Sequence, residues 1–199
     1  VSELLAWVPE IPGYGISCFP HLQRSRKSDL PNPARADGSS ISNGLVSVSI
    51  DQSGRVTLTD AALSRTVEDA IRWESATDLG DLYTASIREP RLAVTFRSSR
   101  IVQKGPLRAA IEARWSLRTG RERIEVRVVV SVDADARFVR VSVGGVNSVT
   151  DHRLRLGIAT GVRNGRVMAD AMFGPVDRAP LEVSPADAAM ELPPLTAPL

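Results

Sequence analysis

From Ile41 onward the chain alternates apolar and polar residues with a period of two. Leu45, Val46, Val48 and Ile50 are broken by Ser47 and Ser49; Asp51-Gln52-Ser53-Gly54 supplies a turn; Val56 and Leu58 then alternate with Arg55 and Thr57. This spacing predicts a β-hairpin, because successive side chains of a strand point to opposite faces. The clearest strand is Arg123 to Val132, where Ile124, Val126, Val128, Val130 and Val132 share one face and Glu125, Arg127 and Ser131 the other. Before it, Leu107 to Leu117 puts Ala109, Ile111, Ala113 and Trp115 on one face, with Arg108, Glu112 and Arg114 opposite on a solvated face. Phe138 to Val143 is expected to bury Phe138, Val139, Val141 and Val143 and expose Arg140 and Ser142. Further strands are expected at Thr66–Trp73, Leu82–Ile87, Leu92–Val102, Leu154–Ala159 and Arg166–Ala171. Helical spacing is also readable in Val67, Ala70 and Ile71, but Thr66, Val67 and Trp73 favour a strand.

No long amphipathic helix is predicted; one short helix fits near Pro185 to Met190, within a Pro-rich wrap. About ten strands with polar outer faces call for two stacked antiparallel sheets. Several exceed the usual five or six residues, which points to a large two-sheet β-supersandwich rather than a small one. The expected organisation is an N-terminal extended segment at 1–23, a flexible Pro/Ser/Arg-rich linker at 24–40, and a β-sandwich domain at 41–199. Leu4, Leu5, Trp7, Val8 and Ile11, interrupted by Pro9 and Pro12, are too few for a domain and suit a segment added to a neighbouring sheet.

The 199 residues are enough for a substantial core. The composition is ordinary for a soluble protein, and no apolar run approaches the roughly 20 residues of a membrane span. Neither a membrane nor a nucleic-acid partner is expected. Only two of the 25 basic residues are lysine (Lys27 and Lys104), yet the net charge is +2, so the arginines are interspersed with acids rather than gathered into a basic patch. Their forked donors suit carboxylates or sugar hydroxyls. Cys18 is the single cysteine, which rules out an internal disulfide and fits a cytoplasmic location. With only His21 and His152 and one cysteine, a zinc site inside this chain is not expected.

The stretch richest in chemistry is Glu74-Ser75-Ala76-Thr77-Asp78-Leu79-Gly80-Asp81-Leu82-Tyr83, read as a loop held by flanking strands. Asp78 and Asp81 can accept paired hydrogen bonds from sugar hydroxyls, and Tyr83 offers a hydroxyl and a ring face. The plainer reading is an acidic turn with a half-buried tyrosine. A retaining glycosidase places its two carboxyl groups about 5–5.5 Å apart across the scissile bond, which two acids on one loop do not suit. Asp151-His152-Arg153 is the second constellation. There Asp151 is expected to orient His152, and Arg153 to bind a hydroxyl or brace Asp81; a turn with a structural Asp–Arg pair stands beside that reading. Trp73 and Trp115 are read as core rather than as sugar platforms.

Three motifs carry a family resemblance. Asn43 to Gly54, Asp78-Leu79-Gly80-Asp81-Leu82-Tyr83, and Asn147 followed by Asp151-His152-Arg153-Leu154-Arg155 resemble elements of the large β-domain of glycoside hydrolase family 38, the α-mannosidases. The resemblance covers roughly residues 41–178. It implies a galactose-mutarotase-like sandwich from a retaining, exo-acting α-mannosidase, with residues 1–23 as the tail of a preceding β-domain. It places a divalent metal, usually zinc, and the nucleophile in an N-terminal catalytic domain, which would be this domain's partner alongside a mannoside substrate and possible further copies of the chain. It makes Tyr83 a substrate contact, with Asp81, Asp78, Arg153, Asp151 and His152 around it. The chain by itself is expected to be inactive. A stand-alone carbohydrate-binding module is the competing expectation, and a mutarotase-like epimerase, which needs a His/Glu acid–base pair, is a third.

Overall fold

Alternation builds the first sheet as expected. In the computed structural model, β3 (Val46–Ile50) buries Val46, Val48 and Ile50 and half-exposes the serines between them. It pairs antiparallel with β4 (Val56–Asp60) on one side and β2 (Ser40–Ser42) on the other, and β1 (Arg35–Asp37) and β5 (Arg65–Val67) complete a five-stranded meander. The β3–β4 turn is fixed by Asp51, whose Oδ1 accepts hydrogen bonds from the Ser53 and Arg55 amides and the Ser53 hydroxyl. Those donors hold its carboxyl below the usual range, the Ser53 side chain contributing most. The structure describes residues 5–8, 11–16, 18, 30–81, 85–88, 91–120, 122–163, 165–178 and 185. The flexible linker expected at 24–40 is therefore corrected over its second half: Leu30 and Ala34 are buried and β1 pairs with β2, because Ala36 sits opposite Ile41 in the sheet. The short helix expected near Pro185 lies outside the described residues, apart from Pro185 itself.

The single strand expected over Thr66–Trp73 is two. β5 ends at Val67, Asp69 turns the chain with φ 51°, and β6 runs from Ile71–Asp78. Glu74 to Asp78 thus belong to a strand rather than to a loop. Within the expected Leu82–Ile87 strand, the described residues show only the start of β7 (Ile87–Arg88), and residues 82–84 lie outside the description.

Three long strands follow: β8 (Val94–Lys104), β9 (Arg108–Thr119) and β10 (Glu122–Asp133). With β11 (Arg140–Gly145) they form a sheet in the order β11-β10-β9-β8. A two-residue connection joins β9 to β10, so that pair runs antiparallel. Gly105 has φ 101°, and a side-chain carbon there would lie 1.9 Å from the Ala34 carbonyl oxygen, so only glycine fits. Last come β12 (His152–Ile158), which joins β6 and β7 in the order β12-β6-β7, and the short hairpin of β13 (Met168–Ala169) and β14 (Val176–Asp177). The strand expected over Arg166–Ala171 shrinks to the two residues of β13.

The fold is all-β, a β-sandwich of antiparallel sheets, and it divides into two compact units. The first takes residues Val1–Glu68, Arg97–Arg114 and Arg127–Gly144; the second takes Asp69–Phe96, Trp115–Val126 and Gly145–Leu199. In the first unit, Ala109, Ile111 and Ala113 of β9 and Val128, Val130 and Val132 of β10 are at most 1% exposed, as are Ile41, Val48 and Ile50 of the meander. Each larger side chain so buried contributes about 1.5–3 kcal/mol before entropy is subtracted. Asn43 is buried and fully satisfied. Its Nδ2 donates to the carbonyls of Asp133 and Ala136, and its Oδ1 accepts from the amides of Leu45 and Val46. In the second unit, Trp115 lies 5.7 Å from Trp73 and 5.5 Å from Phe96 between ring centroids, an aromatic cluster joined by buried Leu117, Ile124 and Val126.

Two faces depart from their alternation pattern. Glu112, expected on a solvated face, is 3% exposed. Its Oε1 accepts from Arg100 and Arg114 and its Oε2 from Arg127, and these guanidinium groups form a roof over it. They depress its pKa from 4.5 to about 2, Arg127 most of all. Conversely, Phe138, Val141 and Val143, expected inside, are exposed on and beside β11, the edge strand.

Candidate functional site

The site grows from the register of β6 against β12. His152 pairs with Thr77, Arg153 with Ala76, Leu154 with Ser75, Arg155 with Glu74 and Leu156 with Trp73. Opposed residues share a face, and neighbours along a strand alternate. One face therefore carries Glu74, Ala76 and Asp78 with Arg153 and Arg155. The other carries Trp73, Ser75 and Thr77 with His152, Leu154 and Leu156.

On the polar face lies a small open cleft lined by Glu74, Ala76, Ile87, Arg91, Arg153 and Arg155. Glu74 faces Arg91 and Arg155 at 3.5 Å each.

Asp78 ends β6 and shapes the loop that follows. Its Oδ1 accepts from the Gly80 amide at 3.1 Å and the Ser86 amide at 2.7 Å, and the Leu79 amide donates to the Ser86 carbonyl. The aspartate thus folds the loop back on its own strand, as a side chain that caps local amides does. Its other oxygen faces Arg153 at 3.9 Å. Asp81 is exposed, beyond Gly80. Tyr83, the substrate contact expected from the resemblance, lies outside the described residues, as does His21.

His152 is oriented by Asn147 rather than by Asp151. Its Nδ1 lies 3.1 Å from Asn147 Oδ1 and its Nε2 lies 2.9 Å from Ser75 Oγ, while Asn147 Nδ2 donates to the His152 carbonyl. An amide oxygen only accepts, so Nδ1 carries the proton and Nε2 accepts from the serine hydroxyl. Burial pushes the imidazole pKa below its ordinary value. Ser75 is 1% exposed and so is not an accessible nucleophile; the Ser–His–Asn chain clamps the start of β12 to β6. Asp151 contributes through its backbone: it turns the chain with φ 51°, and its carbonyl accepts from the Asp78 amide.

The register thus brings Asp78, Asp151, His152 and Arg153 to one end of the β6–β12 pair. Sequence reasoning passed over Glu74, Arg91 and Arg155 as site residues. The available signal was the period-two spacing of Glu74, Ala76 and Asp78 and of Arg153 and Arg155. Among the described residues, no three His, Cys, Asp or Glu side chains converge as metal ligands. No helix among them is long and apolar enough to cross a membrane.

The fold and this site define an antiparallel β-sandwich domain with an arginine-lined polar cleft. That fold recurs in two solved structures. The crystal structure of an alpha-mannosidase from Enterococcus faecalis V583 aligns with TM-score 0.63 and 17% identity over 70% of this chain and 19% of that one. A protein in the glycosyl hydrolase family 38 from Enterococcus faecalis aligns with TM-score 0.63 and 17% identity over 71% and 21%. The chain therefore spans about a fifth of the length of these structures. No protein-family model and no curated protein matches the sequence.

Proposed function

We propose that this chain is a C-terminal carbohydrate-binding and structural β-domain of a retaining α-mannosidase. The observation that carries the reading is the shared fold: 70% of this chain aligns with a fifth of a much longer alpha-mannosidase. A parent enzyme would hydrolyse terminal α-mannosides, and its N-terminal catalytic domain would supply the nucleophile and a zinc ion acting as a Lewis acid. In this reading the present chain lends substrate contacts only. Tyr83, Asp81 and Arg153 are the residues assigned that task; Asp81 follows the Gly80 amide bound by Asp78, and Arg153 lies on β12. Asp78, Asp151 and His152 brace the adjoining end of the β6–β12 pair through hydrogen bonds to loop amides, to the Asp78 amide and to Ser75. A cytoplasmic location is proposed with the same reading.

The test has two halves. The 199-residue chain should not hydrolyse an aryl α-mannoside; turnover by the chain alone would overturn the reading. In the longer protein, Tyr83→Phe should lower kcat while circular dichroism stays unchanged; unaltered kinetics would remove Tyr83 from the site.

A further inference from the structure

The four-stranded sheet is finished differently at its two edges. In the order β11-β10-β9-β8, each outer strand has a neighbour on one side only among the described residues. The outer strand β8 carries Arg97, Arg100 and Lys104 along its length. Charges of this kind guard a strand edge, because a second chain pairing there would have to crowd or bury them. β11 has no such guard. From Arg140 to Gly145 it holds no proline, lysine or acid, and every residue is exposed. Val141 and Val143 are 37% and 48% exposed. Its one charge is turned back on its own chain: Arg140 Nε donates to Asp133 Oδ2 at 3.2 Å, and the guanidinium lies 4.9 Å from the centre of the Phe138 ring. A bare edge of this kind offers a row of backbone donors and acceptors to another strand.

We infer that β11 pairs antiparallel with β11 of a second copy of this chain, about a two-fold axis at Ser142. Strand edges join through the backbone, so one edge can serve both copies of a symmetric pair. Directly opposed residues share a face, so the axis falls on a residue rather than between two. Axes at Ser142 and at Val143 each engage five residues of the strand. The first sets Val141 against Val143 twice, Ser142 against Ser142, and Arg140 against Gly144. The second sets each Val141 against Gly145, which has no side chain to pack. Charge complementarity admits a second copy in the first register. Arg140 faces a glycine there rather than another arginine, and the Asp133 carboxylate that it shares with Arg108 offsets its charge. So short an edge makes a small contact, and the dimer is expected to be reversible and concentration-dependent. β11 contains none of the residues assigned to sugar contact, so the inference stands apart from that reading.

Sedimentation equilibrium of the 199-residue chain should show a reversible rise toward twice the mass of one chain as concentration increases. A chain that stays monomeric up to about 1 mM would overturn the inference. Ser142→Lys sets lysine against lysine at the axis and should weaken dimerisation at least about 10-fold. The circular dichroism spectrum should be preserved, because position 142 is exposed. A dimer indifferent to that change would lie on another surface and overturn the inference. Two further variants read the register, each combined with Cys18→Ser to remove the single native thiol. Ser142→Cys should give a disulfide-linked dimer under mild oxidation, since directly opposed residues lie about 4.5–5.5 Å apart between Cα atoms, within disulfide reach. Val143→Cys should cross-link at least about 10-fold more slowly, because its two copies sit on a diagonal of about 7–8 Å. Equal rates, or a faster rate at position 143, would overturn the assigned axis. Protection of the β11 amides from hydrogen exchange in a longer protein that remains monomeric would assign the edge to another domain of that protein and overturn the inference. None of these results bears on whether a longer protein cleaves α-mannosides, which the activity assay addresses separately.

Discussion

Replacing Glu112 with glutamine tests the arginine roof on β9. The carboxylate is 3% exposed and its oxygens accept from Arg100, Arg114 and Arg127 at 2.6–3.2 Å. Its pKa falls from 4.5 to about 2, with the Arg127 hydrogen bond the largest cause and burial opposing it. At about 1.4 kcal/mol per pH unit, that depression is worth about 3 kcal/mol. The three arginine side chains are 53–67% exposed, so water screens the pairing, and about 1.5–3 kcal/mol is the realistic range. Glutamine keeps the shape and one accepting oxygen but removes the charge and turns an amide N–H₂ toward guanidinium donors. The sign follows from linkage. A depressed carboxylate pKa stabilises the fold fully above pH 4.5, and the contribution is lost as pH falls toward about 2. Urea denaturation followed by far-ultraviolet circular dichroism should therefore show Glu112→Gln destabilised by about 1.5–3 kcal/mol at pH 7, with the gap closing between pH 4.5 and 2. Subtracting the two curves cancels the titration of Asp133 and the other acids. A gap of the same size at pH 7 and pH 2.5, or no gap at pH 7, would refute the reasoning.

Asn43→Ala removes four hydrogen bonds from a buried amide and strands two carbonyls and two amides, so a loss of about 2–4 kcal/mol is expected from the same denaturation assay. Gly105→Ala should cost several kcal/mol, or prevent folding, because φ is 101° and the added carbon meets the Ala34 carbonyl; a melting temperature within about 2 °C of the parent would contradict the close approach. Asp78→Ala should speed hydrogen exchange at the Gly80 and Ser86 amides far more than at β3 or β10, and exchange that rises equally everywhere would mean global destabilisation instead. Ser75→Ala should raise the His152 pKa little, since burial rather than the hydroxyl lowers it; a large upward shift by NMR titration would reverse that attribution.

The strands legible in the sequence are those whose partners on the same face are all β-branched or aliphatic. Val46, Val48 and Ile50 in β3, and Ile124 to Val132 in β10, announce both strand and buried face. β6 was harder to read because Ser75, Ala76, Thr77 and Asp78 look like a turn when taken alone. Their strand character comes from β12, more than seventy positions away, which no local pattern reports. Glu112 shows a different limit. Alternation assigned its direction correctly, but its burial accompanies pairing with Arg114 of its own strand and with Arg100 and Arg127 from β8 and β10. β11 fails in the opposite sense: its valines alternate properly, yet it lies at a sheet edge and they remain exposed. At the site, the motifs located Asp78, Asp151, His152 and Arg153 but not their partners. Arg155 with Glu74, and Ser75 with His152, are cross-strand contacts whose existence depends on register.

That register constrains how the cleft can change over evolutionary time. The seven-rung ladder from Ile71–Ile158 to Thr77–His152 has the cleft-lining arginines on one side and Trp73 with the His152 clamp on the other. Adding or deleting one residue in either strand would exchange the two sides, placing guanidinium groups among the tryptophans and tryptophan in the cleft. New specificities can therefore arise by swapping side chains at positions 74, 76, 153 and 155, whereas changes in length are confined to the loops beyond the strand ends.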